Sequence, residues 1–277
     1  MNQRAMRAII RKDLKVVLQS KAVLIPLIVV PLLLLMILPG IGGAVLANTD
    51  PDSAFIADFR DEAGLFFDNL PESMNERVES YDNEIQRITY VIFNLFFPTL
   101  YLLLPTMVAN VIAADSFAGE KERKTLEALI YTPTTDRELY IAKLLGPWVA
   151  GVAVGLLGYV AFALIVTLTT FAFMGEAFIL NATWVLLILW VSPAASGMGL
   201  GAMVLVSSRV STFQEAYQLG GMVVIPLVLL LFGQLGGIVY FSPLVVIVVG
   251  AVLWLLTIAL IWYGARTFER GALIARL

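Results

Sequence analysis

The sequence predicts an all-α membrane protein with six transmembrane helices, and three observations carry that prediction. First, 60% of its residues are hydrophobic, only 14% are charged and the mean hydropathy is +0.88, whereas about a quarter of a soluble chain is charged. Second, six apolar runs, at 22–47, 89–114, 144–174, 183–206, 219–241 and 244–264, are each near or above the roughly 20 residues that cross a hydrocarbon core. Third, every Asp, Glu, Lys and Arg falls outside those runs. The cations also divide unevenly between the two sides. Six precede the first run, five lie in 115–143, one is Arg209 and three are in the C-terminal tail, against three in 48–88. Cytoplasmic loops carry the excess of Lys and Arg, so both termini are expected in the cytoplasm. The pI near 5.1 reflects acid gathered on the outer face.

Residues 1–21 form a cytoplasmic segment ahead of a membrane domain at 22–277. Within it Met6, Ile9, Ile10, Leu14, Val17 and Leu18 recur at helical spacing with Arg and Lys elsewhere. A basic amphipathic helix lying in the membrane interface has this pattern; a charged anchor that merely orients the first span would use the same charges. The first run has 26 residues, about 39 Å of helix, too long for the roughly 7–15-residue core of a signal peptide. Residues 48–88 read as an acidic external loop. There Pro71 can open a helix, and Met74, Val78, Tyr81, Ile85, Ile88 and Ile92 form a stripe that predicts one helix running into the second span, its apolar edge packed on the protein.

Within the second run Pro98 and Pro105 each remove a backbone hydrogen bond. Its polar residues Asn94, Thr99, Thr106 and Asn110 are candidates to line a substrate path, although helix-to-helix hydrogen bonds would explain them equally well. Gly151/Gly155 and Gly197/Gly201 have the small-xxx-small spacing of close helix contacts. The fifth run ends in FGQLGGIVYFSP. Gly233, Gly236 and Gly237 weaken a helix there, so a break or re-entrant turn is expected near the outer surface, with Gln234 among the residues of a candidate outer gate.

Several chemistries are excluded. The chain has no Cys and no His, which removes thiol catalysis, Ser–His relays and zinc sites of the usual ligand types. Ion-coupled carriers usually hold Asp, Glu, His or Lys at membrane depth, and the runs contain none. GEKERKT at 119–125 lacks the second Gly of a phosphate-binding loop and has no strand before it. Nothing points to nucleic acid, a metal site or a catalytic residue.

The charged segment 115–143 has a pattern of its own. Glu120–Lys124 and Arg123–Glu127 are opposite charges four residues apart, supporting a helix with Leu126, Leu129 and Ile130 as its apolar edge. Thr132-Pro133 stops it, and Thr135-Asp-Arg-Glu138 is a capping box that starts the helix of the third span. The run GEKERKTLEALIYTPTTDRELYIAKLL resembles the signature of ABC-2 type permeases, the membrane subunits of ABC exporters. The matching residues are Glu120, Glu122, Arg123, Thr125, Leu126, Glu127, Leu129, Thr132, Pro133, Glu138 and Lys143, while Lys124 and Ala142 stand where a Gly is common.

That resemblance implies a permease subunit in the cell (plasma) membrane that pairs with itself or a sister chain and binds two ABC ATP-binding subunits. The loop would be the coupling helix, and Glu120, Glu122, Arg123, Thr125, Leu126, Glu127, Leu129 and Pro133 its ATPase-coupling residues. The chain would bind no cofactor, ATP and Mg residing in the partner, and would be no enzyme in its own right. The alternatives are an ATP-independent channel or secondary transporter, and a non-transporting ABC membrane subunit.

Overall fold

The computed structural model describes residues 3–51, 53–125 and 135–267. Among them no strand occurs, and six helices are long and apolar enough to cross a membrane: Val23–Ala47, Glu84–Glu122, Asp136–Met174, Ala182–Ser207, Phe213–Leu235 and Pro243–Arg266. These are the first to sixth spans. Over the apolar 18-residue stretch of each, 72% and 67% of the residues are buried in the second and fourth spans, against 11%, 22%, 17% and 22% in the first, third, fifth and sixth. Two central helices are thus ringed by four whose sides face outward. Polar side chains explain the choice of centre. The buried residues of the central pair include Asn94, Thr99, Thr106, Asn110, Ser192 and Ser196, groups that would lose their partners if turned to lipid.

Small residues set the close approaches. A Cβ on Gly151 would lie 2.8 Å from the carbonyl oxygen of Pro105 and 2.9 Å from Ser196 Oγ, and one on Gly155 would lie 2.8 Å from Ser192 Oγ. The third span therefore packs onto both central helices through the spacing seen in the sequence. Gly201 makes the corresponding seam with Leu260 of the sixth.

Prolines shape the spans through the turn that precedes them. Leu33–Ile37, Ile92–Phe96 and Leu187–Val191 are π-helical turns, followed two residues later by Pro39, Pro98 and Pro193. A proline cannot donate to the carbonyl four residues back, and the wider turn takes up the mismatch. A fourth such turn, Asp115–Gly119, has no proline after it.

Two expectations about helix extent are corrected. The stripe from Met74 to Ile92 does not form one helix: Glu72–Glu79 and Glu84–Val91 are separate, and Asn83 caps the second by accepting from Gln86 N. The stripe is still largely inward, with Val78, Tyr81, Ile85 and Ile88 buried. Pro71 stands at the cap of the first helix rather than within it. The fifth span begins and ends earlier than its apolar run, because Thr212 caps Phe213 onward and the helix stops at Leu235.

The amino-terminal helix, Gln3–Gln19, divides its apolar residues between the protein and an open face. Met6 and Ile9 pack on Leu139 and Ala142 of the third span, and Val17 joins Val108, Val111 and Ile112 of the second. Met6, Ile9 and Val17 of the expected apolar set are thus used by the protein itself. A second face with Arg7, Ile10, Arg11, Leu14, Lys15 and Leu18 stays open.

Candidate functional site

At 39 residues each, the second and third spans are about 58 Å long, well beyond the roughly 30 Å of a hydrocarbon core. Their surplus emerges at the same end of the bundle, as Asp115–Glu122 on one helix and Asp136–Lys143 on the other. Between these ends lies a buried cluster of charges. Lys143 is fully buried, and its Nζ donates to Glu120 Oε2 at 2.6 Å and to the carbonyl oxygen of Ser116 at 2.6 Å. Lys12 of the amino-terminal helix bonds the other Glu120 oxygen. Ser116 Oγ donates to Asp13 Oδ2 at 2.8 Å, and Asp13 is itself buried.

The cluster ties three helices together at once; Asp13 Oδ1 has no hydrogen-bond partner among the described residues but lies 3.1 Å from Lys12 Nζ. Burial opposes a charge on Lys12, but its hydrogen bond and attraction to Glu120, helped by Asp13, outweigh that and raise its pKa above the ordinary value. The contribution of a raised lysine is complete below its unfolded pKa and is lost only as pH rises through the folded value. This tie therefore does not titrate near neutrality. Arg123 is raised likewise, first by its hydrogen bond to Asp115, at 2.9 Å.

The rest of the segment reaches the fifth span. Lys121 Nζ donates to the carbonyl oxygen of Val210 at 2.8 Å, and Phe213 N donates to Glu122 Oε2 at 2.8 Å. Residues 115–123 thus touch the amino-terminal helix, the third span and the entry to the fifth. The π turn at Asp115–Gly119 falls inside this hub, and such turns are frequent at functional positions.

One expected charge pair is corrected. The helix ends at Glu122, Lys124 has φ +56°, and Glu120 pairs with Lys143 and Lys12 rather than with Lys124. Leu126, Glu127, Leu129, Thr132 and Pro133, with the helix expected over them, lie outside the described residues. The capping box forms as expected: Glu138 N donates to Thr135 Oγ1 at 3.3 Å and Thr135 N to Glu138 Oε2 at 3.0 Å.

The candidate path residues are all buried within one chain, not set along an open surface. Thr99 Oγ1 donates to Gln234 Oε1, and Gln234 Nε2 donates to the carbonyl oxygen of Leu95 at 2.7 Å. Asn181 Nδ2 donates to Asn94 Oδ1 at 2.6 Å, and Thr106 Oγ1 to the carbonyl oxygen of Leu102 at 2.8 Å. Asn110 Oδ1 has no hydrogen-bond partner among the described residues; a Cβ on Gly220 of the fifth span would lie 3.0 Å from it. Thr99 of the path set and Gln234 of the gate set are brought together. Both bind helix to helix.

At the gate, Ile238 N donates to the Gly233 carbonyl oxygen at 2.8 Å and Gly237 N to that of Gln234 at 3.0 Å, with Gly237 at φ +68°. That is a Schellman cap, and residues 236–242 then cross to the sixth span without helix.

Sequence reasoning missed Asp13, Lys12, Asp115, Ser116 and Lys143 as a group. One signal was present: Asp13, the sole acid before the first span, shares its helical face with Met6, Ile9 and Val17.

Residues 7–242 match the family described as ABC-2 family transporter protein. The chain belongs to that family. No curated protein and no solved structure matches the chain. An ABC-2 permease associates with an ABC ATP-binding subunit and with the membrane, and the hub lies where its signature segment leaves the bundle.

Proposed function

We propose that this chain is the permease subunit of an ATP-driven exporter in the plasma membrane, with both termini in the cytoplasm. Two copies, or one copy and a sister permease, form the transport path between them, and two separate ABC subunits bind ATP and Mg. The chain itself holds no nucleotide and catalyses no reaction. The observation that carries this reading is the hub. One rigid end of the second span, 115–123, is bonded to the amino-terminal helix, the third span and the entry to the fifth. A push on the segment that follows it reaches three outward-lying helices together, as a transmitter of ATPase motion must. ATP then biases the pair between inward- and outward-facing states through differential contacts.

Pairing has support in the fifth span. Gln214, Gln218 and Gly221 face outward, and polar and small residues on an outward face suit another helix better than lipid. The Schellman turn at 233–238 is the proposed outer gate of the path.

Coupling is tested by L126D/L129D. The variant should elute as folded permease yet lose most of the co-expressed ABC subunit on affinity purification. Normal retention of that subunit, with normal ATP-dependent transport, would remove the segment from the coupling route.

A further inference from the structure

The segment after the first span forms three short helices, Ala54–Glu62, Gly64–Asp68 and Glu72–Glu79. Much of their surface is exposed acid, at Asp58, Asp61, Glu62, Asp68, Glu72 and Glu76. One large side chain turns the other way. Phe66 is 1% exposed and packs with Val78, Val91, Leu95 and Tyr240. Its ring centre lies 4.7 Å from that of Phe96 and 5.2 Å from that of Tyr240. Tyr240 OH also donates to the Phe66 carbonyl oxygen at 3.0 Å, in a buried bond.

The pocket that takes Phe66 is built from both sides of the proposed outer gate. Leu95 and Phe96 belong to the second span, and the Leu95 carbonyl oxygen accepts from Gln234 Nε2. Tyr240 belongs to the crossing 236–242 that follows the Schellman turn. Parting the second span from the end of the fifth would therefore separate the walls of the pocket. A second tie fastens the segment to the loop between the third and fourth spans: Arg77 Nη2 and Tyr81 OH both donate to Glu176 Oε1, at 2.7 and 2.6 Å. Arg77 and Glu176 are about half exposed, and exposed ion pairs contribute little. The buried phenyl ring is the stronger hold. A contact made in only one of two states biases the molecule toward that state.

We propose that residues 54–80 are a lid on the outer gate, held shut by Phe66 in its pocket and released when the outer ends of the second and fifth spans part. What the lid covers rests on the exporter reading. That Phe66 holds it down rests on this packing alone, so the two are tested separately.

Val91 of the second span is fully buried in the same cluster as Phe66, and the chain has no cysteine of its own. The thiol of V91C therefore reports the lid. In the purified full chain it should react slowly with a bulky maleimide. F66A/V91C should react at least about tenfold faster, because a large core truncation lowers the cost of local opening, with an unchanged elution volume. F55A/V91C, which removes an exposed phenyl ring from the same segment, should stay as slow as V91C. Y240F/V91C loses only the bond to the Phe66 carbonyl oxygen; it should react faster than V91C, and it decides the matter if F66A elutes abnormally. F66A/V91C no faster than V91C would overturn the lid, and so would F55A/V91C as fast as F66A/V91C. A second arm adds the ABC subunit and a non-hydrolysable ATP analogue to V91C, and labelling should accelerate. Acceleration by F66A with none from the nucleotide would keep the lid and count against ATP as the force that opens it.

Discussion

Lys143 has no water to fall back on, so its partners decide whether the hub holds. A buried ion pair is weak evidence for net stability, but removing one member strands the other, at a cost of about 3–5 kcal/mol. Lys143→Met should therefore lower the detergent unfolding free energy by about that amount, because Glu120 Oε2 loses its 2.6 Å partner. K143M/E120L should recover more than half of the loss in a double-mutant cycle. Additive losses would mean that the two side chains are not coupled. Such a cluster was only partly legible in the sequence. Glu120 and Lys143 stand in the family signature, but their spacing of 23 residues carries no local rule that joins them. The rules that do act locally, pairing Glu120 with Lys124 and Arg123 with Glu127, assume a helix in water. Burial beside Ser116 and Asp13 made longer-range partners the better solution for Glu120. Arg123 in turn found Asp115, across the π turn. Charge reversal at Arg123 is accordingly a poor probe of ATPase docking, since it would face Asp115 within its own chain.

Helices were legible by existence and less so by their ends. All six apolar runs became spans, because continuous hydrophobicity over some 20 residues leaves the backbone no other way to satisfy itself in lipid. The capping box at Thr135 formed as written, since its bonds are local. The second span overran its apolar run by the length of the hub. Helix formation does not stop where hydrophobicity stops, and the charged surplus found partners that reward staying helical. The fifth span was misplaced in the other direction, its start being set by the Thr212 cap and not by the first apolar residue. Of the three glycines at its end, the sequence could not single one out. The structure does: Gly237 alone has a left-handed backbone, with φ +68°, while Gly236 has φ −79°. Gly237→Ala should cost about 1–2 kcal/mol, the penalty of a side chain in that region, and Gly236→Ala should stay within about 0.5 kcal/mol, as a substitution away from strain does. Paired thermal melts in detergent check this. Equal effects would place the strain elsewhere in the turn.

Across the whole molecule, one end of the bundle carries the hub and both ends of the described chain, and the other carries the acidic segment that follows the first span. Ala57 and Ser211 lie at opposite ends and are exposed, unlike Ser53, whose hydroxyl is buried. A57C should react with an impermeant thiol reagent on intact cells and S211C only after permeabilisation; labelling of both from outside would refute the proposed orientation. The lateral faces raise the further matter of what each one meets. The first, third and sixth spans turn continuous aliphatic surface outward, as lipid requires. The fifth departs from this in its first turns, where Gln214, Gln218 and Gly221 are exposed. Glu215 is exposed beside them and Phe213 bonds Glu122, so these turns lie at the charged end of the bundle. A second permease packed against that face would give both amides partners and let the glycine make a close helix contact. The chain has no Cys of its own, so a single engineered thiol reports cleanly. Q218C in native membranes should form a disulfide-linked dimer on mild oxidation, whereas L168C, on the strongly exposed aliphatic face of the third span, should remain monomeric. Cross-linking at L168C and none at Q218C would assign the partner to the opposite face and take the fifth span out of the path.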